Sequence, residues 1–374
     1  MTLLEAGLLL GASALVSGIS TPLVAKLART VDAVDRPNER KVSDRAGMPL
    51  LGGLAVALGC TVGLSLALQL GLEGTGQSGY FEGFLIGASL VLAIGAFDDR
   101  YGLGAAPKLL VQIAAASLVF YFGVRIEEFR EPLSGIEFQL PLWLSFTVTT
   151  LWIVGVTNAL NLIDGLDGEA TGVGAIIALT LAIVCWQAEQ PSGVVLGLVL
   201  LGALLGFLPF NFPPARIFLG DTGAYFIGFA LAILALEGYQ GGHRKAAVLT
   251  FAIPLLALAV PILDTLLSIY RRLRNRQPVF SADRRHLHHR LLASRGDQRP
   301  AVLALYFLTG CFCIIALSFA QLQGYTAFIF FGAVVILTFR LLRNMGVFGD
   351  DTKPPPPGTA SATPESLPEK EGEQ

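Results

Sequence analysis

The sequence predicts an all-α, polytopic membrane protein, and three observations carry that prediction. Of 374 residues, 53% are hydrophobic and 14% charged, whereas a soluble globular domain carries about 25% charge. Apolar runs recur along the whole chain, and a spanning helix needs about 20 such residues. The basic residues between the runs are unevenly placed, although the net charge is only −2. This composition excludes a soluble enzyme and offers no broad basic surface for nucleic acid.

In order, the candidate spans are roughly 4–26, 50–71, 81–97, 106–123, 142–160, 169–187, 193–210, 222–236, 246–269, 301–319 and 324–342, or about 10–11 transmembrane helices. The first run, "MTLLEAGLLLGASALVSGIS", lacks a basic n-region and carries Glu5. It reads as a helix that stays in the protein rather than a cleaved signal. Lys and Arg collect on the cytoplasmic side of membrane proteins. With the N-terminus outside and the C-terminus inside, all 26 basic residues except Arg125, Arg130, Arg244 and Lys245 face the cytoplasm. Residues 1–345 are therefore expected to form one integral membrane domain. Residues 346–374, ending "PPPPGTASATPESLPEKEGEQ", form a Pro-rich tail too polar to bury a core and expected to be disordered. Cys60, Cys185, Cys311 and Cys313 lie in or beside apolar runs and read as core residues, without zinc-site spacing.

Polar stretches interrupt this pattern, and in the topology above they share the cytoplasmic side. They are "VDRPNERK" (34–41), "FDDR" (97–100), "NALNLIDGLDG" (158–168), "NFPPARIFLGDTGA" (211–224) and "RRHLHHR" (284–290). Unrelated accidents would fall on both faces, so the convergence points to one cytoplasmic site. Each stretch also has a plain structural reading. Asp98 and Asp99 are adjacent carboxylates at a span end; they could simply be solvated there, or share a cation or proton. Asn158, Asn161, Asp164 and Asp167 recur every third residue, which keeps neighbours on one helical face. Capping and an Asp-Gly turn account for one of them rather than four. Asp221 sits where an acidic N-cap would, in a Gly-rich stretch whose backbone N–H groups favour an anion. His286, His288 and His289 lie among arginines with no Cys nearby, which suits phosphate better than zinc. Hard oxygen donors without thiolates favour Mg²⁺, or Mn²⁺, completed by substrate phosphates. The set reads as metal-assisted phosphoryl transfer at a membrane surface.

Taken together, these motifs resemble the polyprenyl-phosphate N-acetylhexosamine-1-phosphate transferases. This superfamily also contains phospho-N-acetylmuramoyl-pentapeptide transferase and the dolichyl-phosphate GlcNAc-1-phosphate transferase. The likeness spans about residues 1–345. Asp98–Asp99 with Leu103 and Lys108 is similar to the family's first acidic motif, "NALNLIDGLDG" to its Asn/Asp motif, and "FLGDTGA" to its Phe–Gly–Asp motif. "HLHH" resembles the GlcNAc-type branch, since Leu287 breaks the consecutive histidines of the muramoyl-pentapeptide branch. Ser43 and Leu51 depart from a His and an Arg common in relatives. The resemblance implies transfer of a sugar-1-phosphate, GlcNAc-1-phosphate by the His motif, from a UDP-N-acetylhexosamine to undecaprenyl phosphate. UMP would leave at the cytoplasmic face of the cell membrane, and lipid-linked cell-envelope polysaccharide, such as lipopolysaccharide, would begin there. It implies that Asp98 and Asp99 are catalytic, with Asp98 activating or positioning the lipid phosphate. Asn161 and Asp221 would hold Mg²⁺. Lys108, Asn158, Asp164, Asp167 and the three histidines would bind substrate. A covalent aspartyl-phosphate route and a homodimer both stay open. The alternative is a cation-coupled transporter or flippase of lipid-linked sugars, for which Asp264 in "PILDTLLS" is the pointer, an acid well inside a span.

Overall fold

The computed structural model describes residues 1–35, 47–72, 79–130, 137–240, 252–276, 286–319 and 325–344. In chain order these form α1 (Leu3–Thr30), α2 (Gly52–Gln69), α3 (Tyr80–Tyr101), α4 (Ala105–Tyr121), β1 (Glu128–Arg130), β2 (Glu137–Gln139), α5 (Leu142–Leu162) and α6 (Glu169–Gln187). There follow α7 (Pro191–Asn211), α8 (Gly220–Gln240), α9 (Ala252–Ala257), α10 (Ala259–Arg274), α11 (Leu287–Arg295), α12 (Gln298–Phe319) and α13 (Tyr325–Asn344). The expected all-α membrane architecture is present. The exception is a small antiparallel hairpin, β1 with β2, in which Phe129 faces Phe138. The chain divides into two units, Met1–Phe328 and Ile329–Gln374. In the second, the described residues continue α13 to Asn344.

Local chemistry sets the helix ends. Thr2 Oγ1 accepts from the Glu5 N–H at 3.3 Å, and Glu5 Oε2 accepts from the Thr2 N–H at 2.7 Å. The odd acid of the first apolar run is therefore half of a capping box that starts α1. Among the described residues, eight helices, α1, α2, α3, α5, α6, α7, α8 and α12, are long and apolar enough to cross a membrane. Among these, α7 packs on α1, α2 and α6, while α8 packs on α2, α3, α5 and α6. Both are largely apolar and buried along most of their length, as suits a central membrane helix. The peripheral α1 and α12 leave Leu15, Leu23, Phe307 and Ile314 exposed, side chains suited to acyl chains rather than water.

Three expected spans differ from their helices. The run at 106–123 yields α4, whose 17 residues are short for a crossing. The single span expected at 246–269 is two helices, α9 and α10, broken at Leu258; residues 246–251 lie outside the described ones. The cause is Pro261, which has no N–H to donate to the Ala257 carbonyl one turn back. The Cys313 thiol on α12 faces that carbonyl instead, with Sγ at 3.9 Å. The last span, α13, carries Arg340 and Arg343 in its final turns. The tail 346–374 and most of "VDRPNERK" lie outside the described residues.

Candidate active site

The C-terminal ends of α3 and α5 meet the N-terminal ends of α4, α6 and α8, and polar residues from distant segments converge there. At the end of α3, Gly102 adopts φ 68° and its N–H closes the helix on the Asp98 carbonyl at 2.8 Å. The chain then reverses into α4. Asp98 accepts from the Leu103 N–H at 2.6 Å and from Lys108 Nζ at 2.8 Å. Its neighbour Asp99 points elsewhere. It accepts from the Asp221 N–H at 2.8 Å, the Thr222 N–H at 3.1 Å and Thr222 Oγ1 at 2.6 Å. Asp99 thus caps α8 from another helix, satisfying N–H groups that would otherwise lack partners. The helix begins at Gly220, φ 74°, where a Cβ would collide with the Asp99 carboxylate. Only glycine lets the two helices approach this closely.

That contact fixes Asp221 in the first turn of α8. One of its oxygens accepts from Asn161 Nδ2 at 3.0 Å, and the other lies 3.6 Å from Lys108 Nζ. Lys108 therefore bridges Asp98 and Asp221. Among the described residues, three carboxylates and one ammonium share this wall, while Arg100 is drawn off to Asp32 at 3.2 Å. Partly buried like charges favour a cation or a proton between them. Among the described residues no three His, Cys, Asp or Glu side chains form a closed cation cage. Mg²⁺ does not require one, because it takes one or two protein ligands and completes its shell with phosphate and water. Asp221 and Asn161 fit that pattern. A half-turn of the Asn161 amide presents its oxygen beside Asp221.

The second wall is α11, which carries the histidines. Asp264 of α10 accepts the Leu287 N–H at 2.8 Å, and its other oxygen lies 2.7 Å from His286 Nδ1. The acid read as a transporter's charge is thus engaged in holding the histidine helix. Leu291 and Leu292 of α11 pack against Leu166, Ala301 and Val302. The His288 ring occupies the space where a Cβ on Gly165 would sit. Its Nδ1 is 3.6 Å from Glu169 Oε1. Burial pulls the His288 pKa down, but the Glu169 carboxylate, helped by Asp264 and Asp164, outweighs it and the net shift is upward.

A cleft of about 250 Å³ opens between the walls. Of the sequence-predicted residues, Asp99, Asn161, Asp164, Asp167, Asp221, His286, His288 and His289 line it. Asp98 and Lys108 stand behind Asp221. Asp167 also accepts the Ala215 N–H at 2.9 Å, which ties the α6 entrance to the loop before α8. Asn158 is not among the lining residues. Its Nδ2 donates to Gln112 Oε1 at 2.6 Å and to the Val154 carbonyl at 2.8 Å, joining α5 to α4. Sequence reasoning missed Glu169, Thr222 and Gln112. Glu169 had a legible signal, as a charge opening an apolar run; Thr222 and Gln112 had none.

Comparison with known proteins places the chain in a family. The model of glycosyl transferase family 4 matches residues 81–239, which include the acidic wall. The chain is 35% identical over 336 residues to a probable undecaprenyl-phosphate N-acetylglucosaminyl 1-phosphate transferase of Bacillus subtilis, covering 90% of this chain and 91% of the relative. It is 35% identical over 347 residues to the decaprenyl-phosphate N-acetylglucosaminephosphotransferase of Mycobacterium leprae, covering 87% and 86%. Identity is 26% over 290 residues with the undecaprenyl-phosphate alpha-N-acetylglucosaminyl 1-phosphate transferase of Escherichia coli K12, covering 75% and 74%.

Proposed function

Because the chain belongs to the polyprenyl-phosphate N-acetylhexosamine-1-phosphate transferase family, we propose that it transfers GlcNAc-1-phosphate from UDP-GlcNAc to a polyprenyl phosphate of the undecaprenyl class. An oxygen of the lipid phosphate attacks the sugar-bearing phosphorus, the bond to the UMP phosphate breaks, and UMP leaves. The product is a lipid-linked diphosphosugar that opens cell-envelope polysaccharide synthesis. The single observation that carries this reading is the convergence of the acidic and histidine motifs on one cleft at the ends of membrane helices. A greasy acceptor and a water-soluble donor can meet only at such a level. The excess of Lys and Arg in the loops on that side supports a cytoplasmic face of the cell membrane.

The chain's own residues divide the work. Asp221 and Asn161 would hold Mg²⁺, which when bound would supply neutralising positive charge to a diphosphate. Asp98 has both oxygens engaged, by Leu103 and Lys108. It therefore acts by fixing the Lys108 ammonium, which meets the lipid phosphate. Asp99 acts through α8, whose first turn it anchors and whose carboxylate Asp221 it thereby aims. Asp164 and Asp167 take the nucleotide end, and the histidines take phosphate oxygens. Positioning and electrostatics then supply most of the rate, as phosphoryl transfer allows.

The test is purified full-length chain with UDP-GlcNAc, undecaprenyl phosphate and Mg²⁺, following UMP. Release of UMP that needs both the lipid and the metal supports the reading. Release from neither UDP-GlcNAc nor any other UDP-sugar overturns it.

A further inference from the structure

Two buried carboxylates behind the histidine wall divide their oxygens in the same way. Asp264 gives one oxygen to the Leu287 N–H and the other to His286 Nδ1. Glu169 gives Oε2 to the Leu166 N–H at 3.0 Å, while Oε1 faces His288 Nδ1 at 3.6 Å. Neither carboxylate lines the cleft, but both imidazoles do. The two rings are stacked, with centroids 5.6 Å apart and planes 9° apart.

We propose that Asp264 and Glu169 are positioning residues, Asp264 fixing the ring of His286 and Glu169 holding positive charge on His288, so that the two rings form a paired clamp for the diphosphate of the nucleotide sugar. The identity of that anion rests on the transferase reading above; the clamp itself rests on the contacts. A buried carboxylate without a positive partner is costly, so Glu169 favours the imidazolium form of His288, which it faces at 3.6 Å. Asp264 lies 2.7 Å from His286 Nδ1 and fixes that ring's orientation, which leaves Nε2 as its nitrogen for a ligand. Among the described residues, the charged groups facing the pair are Glu169 from α6, Asp264 from α10, Asp164 from the turn after α5, and His289 on their own helix. The upward shift of His288 is what such surroundings produce. His286 is held at hydrogen-bond distance and His288 beyond it, so Asp264 should matter more than Glu169.

The test uses full-length Asp264→Asn and Glu169→Gln chains. Leu291 and Leu292 dock α11 independently of both acids, and thermal melts check that the variants fold. By analogy with carboxylates that orient liganding histidines, Asp264→Asn should raise KM for the UDP-sugar about 10-fold or more, and Glu169→Gln about 3-fold, with kcat changing less. In Glu169→Gln the alkaline limb of kcat/KM should also move to lower pH, which a merely structural role would not produce. A readout independent of turnover is ¹⁵N-histidine NMR with inorganic pyrophosphate as probe, tractable because the chain has 4 His. Pyrophosphate should shift Nε2 signals in the wild type and fail to do so in Asp264→Asn. If this holds while the wild type transfers no sugar phosphate, the clamp stands and the transferase reading falls. Folded variants with wild-type KM, pH profile and pyrophosphate response would overturn the clamp.

Discussion

On one wall of the cleft two aspartates, Asp98 and Asp221, share Lys108, whereas on the other each buried carboxylate faces an imidazole. The same acidic residue type therefore serves opposite ends. The paired carboxylates of the acidic wall favour a cation or a proton between them. On the histidine wall each acid is matched by an imidazole, which leaves the rings free to meet an anion. A metal–diphosphate complex is the ligand class that satisfies both walls at once. Asp99 belongs to neither pattern, because its carboxylate is consumed in capping α8.

The sharpest way to break this contrast is Asp221→Asn. Turnover should fall about 1,000-fold, on the order of 4 kcal/mol of barrier, and the residual rate should no longer respond to Mg²⁺. In EDTA the same variant should melt no lower than the wild type, because a repelling carboxylate has been removed. A large drop in melting temperature would mean that Asp221 holds the fold. Asp99→Ala should show the complementary signature. It strands the α8 N–H groups and should cost about 2–4 kcal/mol of stability along with activity, seen as an earlier melt. On the other wall, Gly165→Ala should push the His288 ring aside and raise KM for the UDP-sugar about 10-fold, with a smaller effect on kcat. The smallest effect concerns pH. His288 has a raised pKa in the folded chain, so its pairing with Glu169 stabilises fully below the unfolded value of about 6.5. That stabilisation is lost as pH rises through the folded value. The melting temperature should therefore decline across that window in the wild type, and Glu169→Gln should flatten the decline.

The apolar runs made the membrane helices legible, because a bilayer forces every spanning backbone to satisfy itself locally. The motifs "FDDR", "NALNLIDGLDG", "FLGDTG" and "HLHH" stood out because their side chains are costly near hydrocarbon. Their pairings were not legible. Asp264 looked like a charge within a span, and nothing local said that an imidazole 22 residues later would meet it. Asn158 shared its three-residue spacing with Asn161, yet it turns to Gln112, a partner 46 residues away on α4. The break between α9 and α10 was readable in principle from Pro261. An otherwise apolar run disguised it.

The central claim is that the two walls face one another across one cation-dependent site. Mn²⁺ in place of Mg²⁺ tests it most directly, through paramagnetic broadening of the histidine signals in the full-length chain. The account predicts that Mn²⁺ broadens His286, His288 and His289 in the wild type and leaves them sharp in Asp221→Asn. Signals untouched by Mn²⁺, or broadened equally after Asp221→Asn, would contradict it.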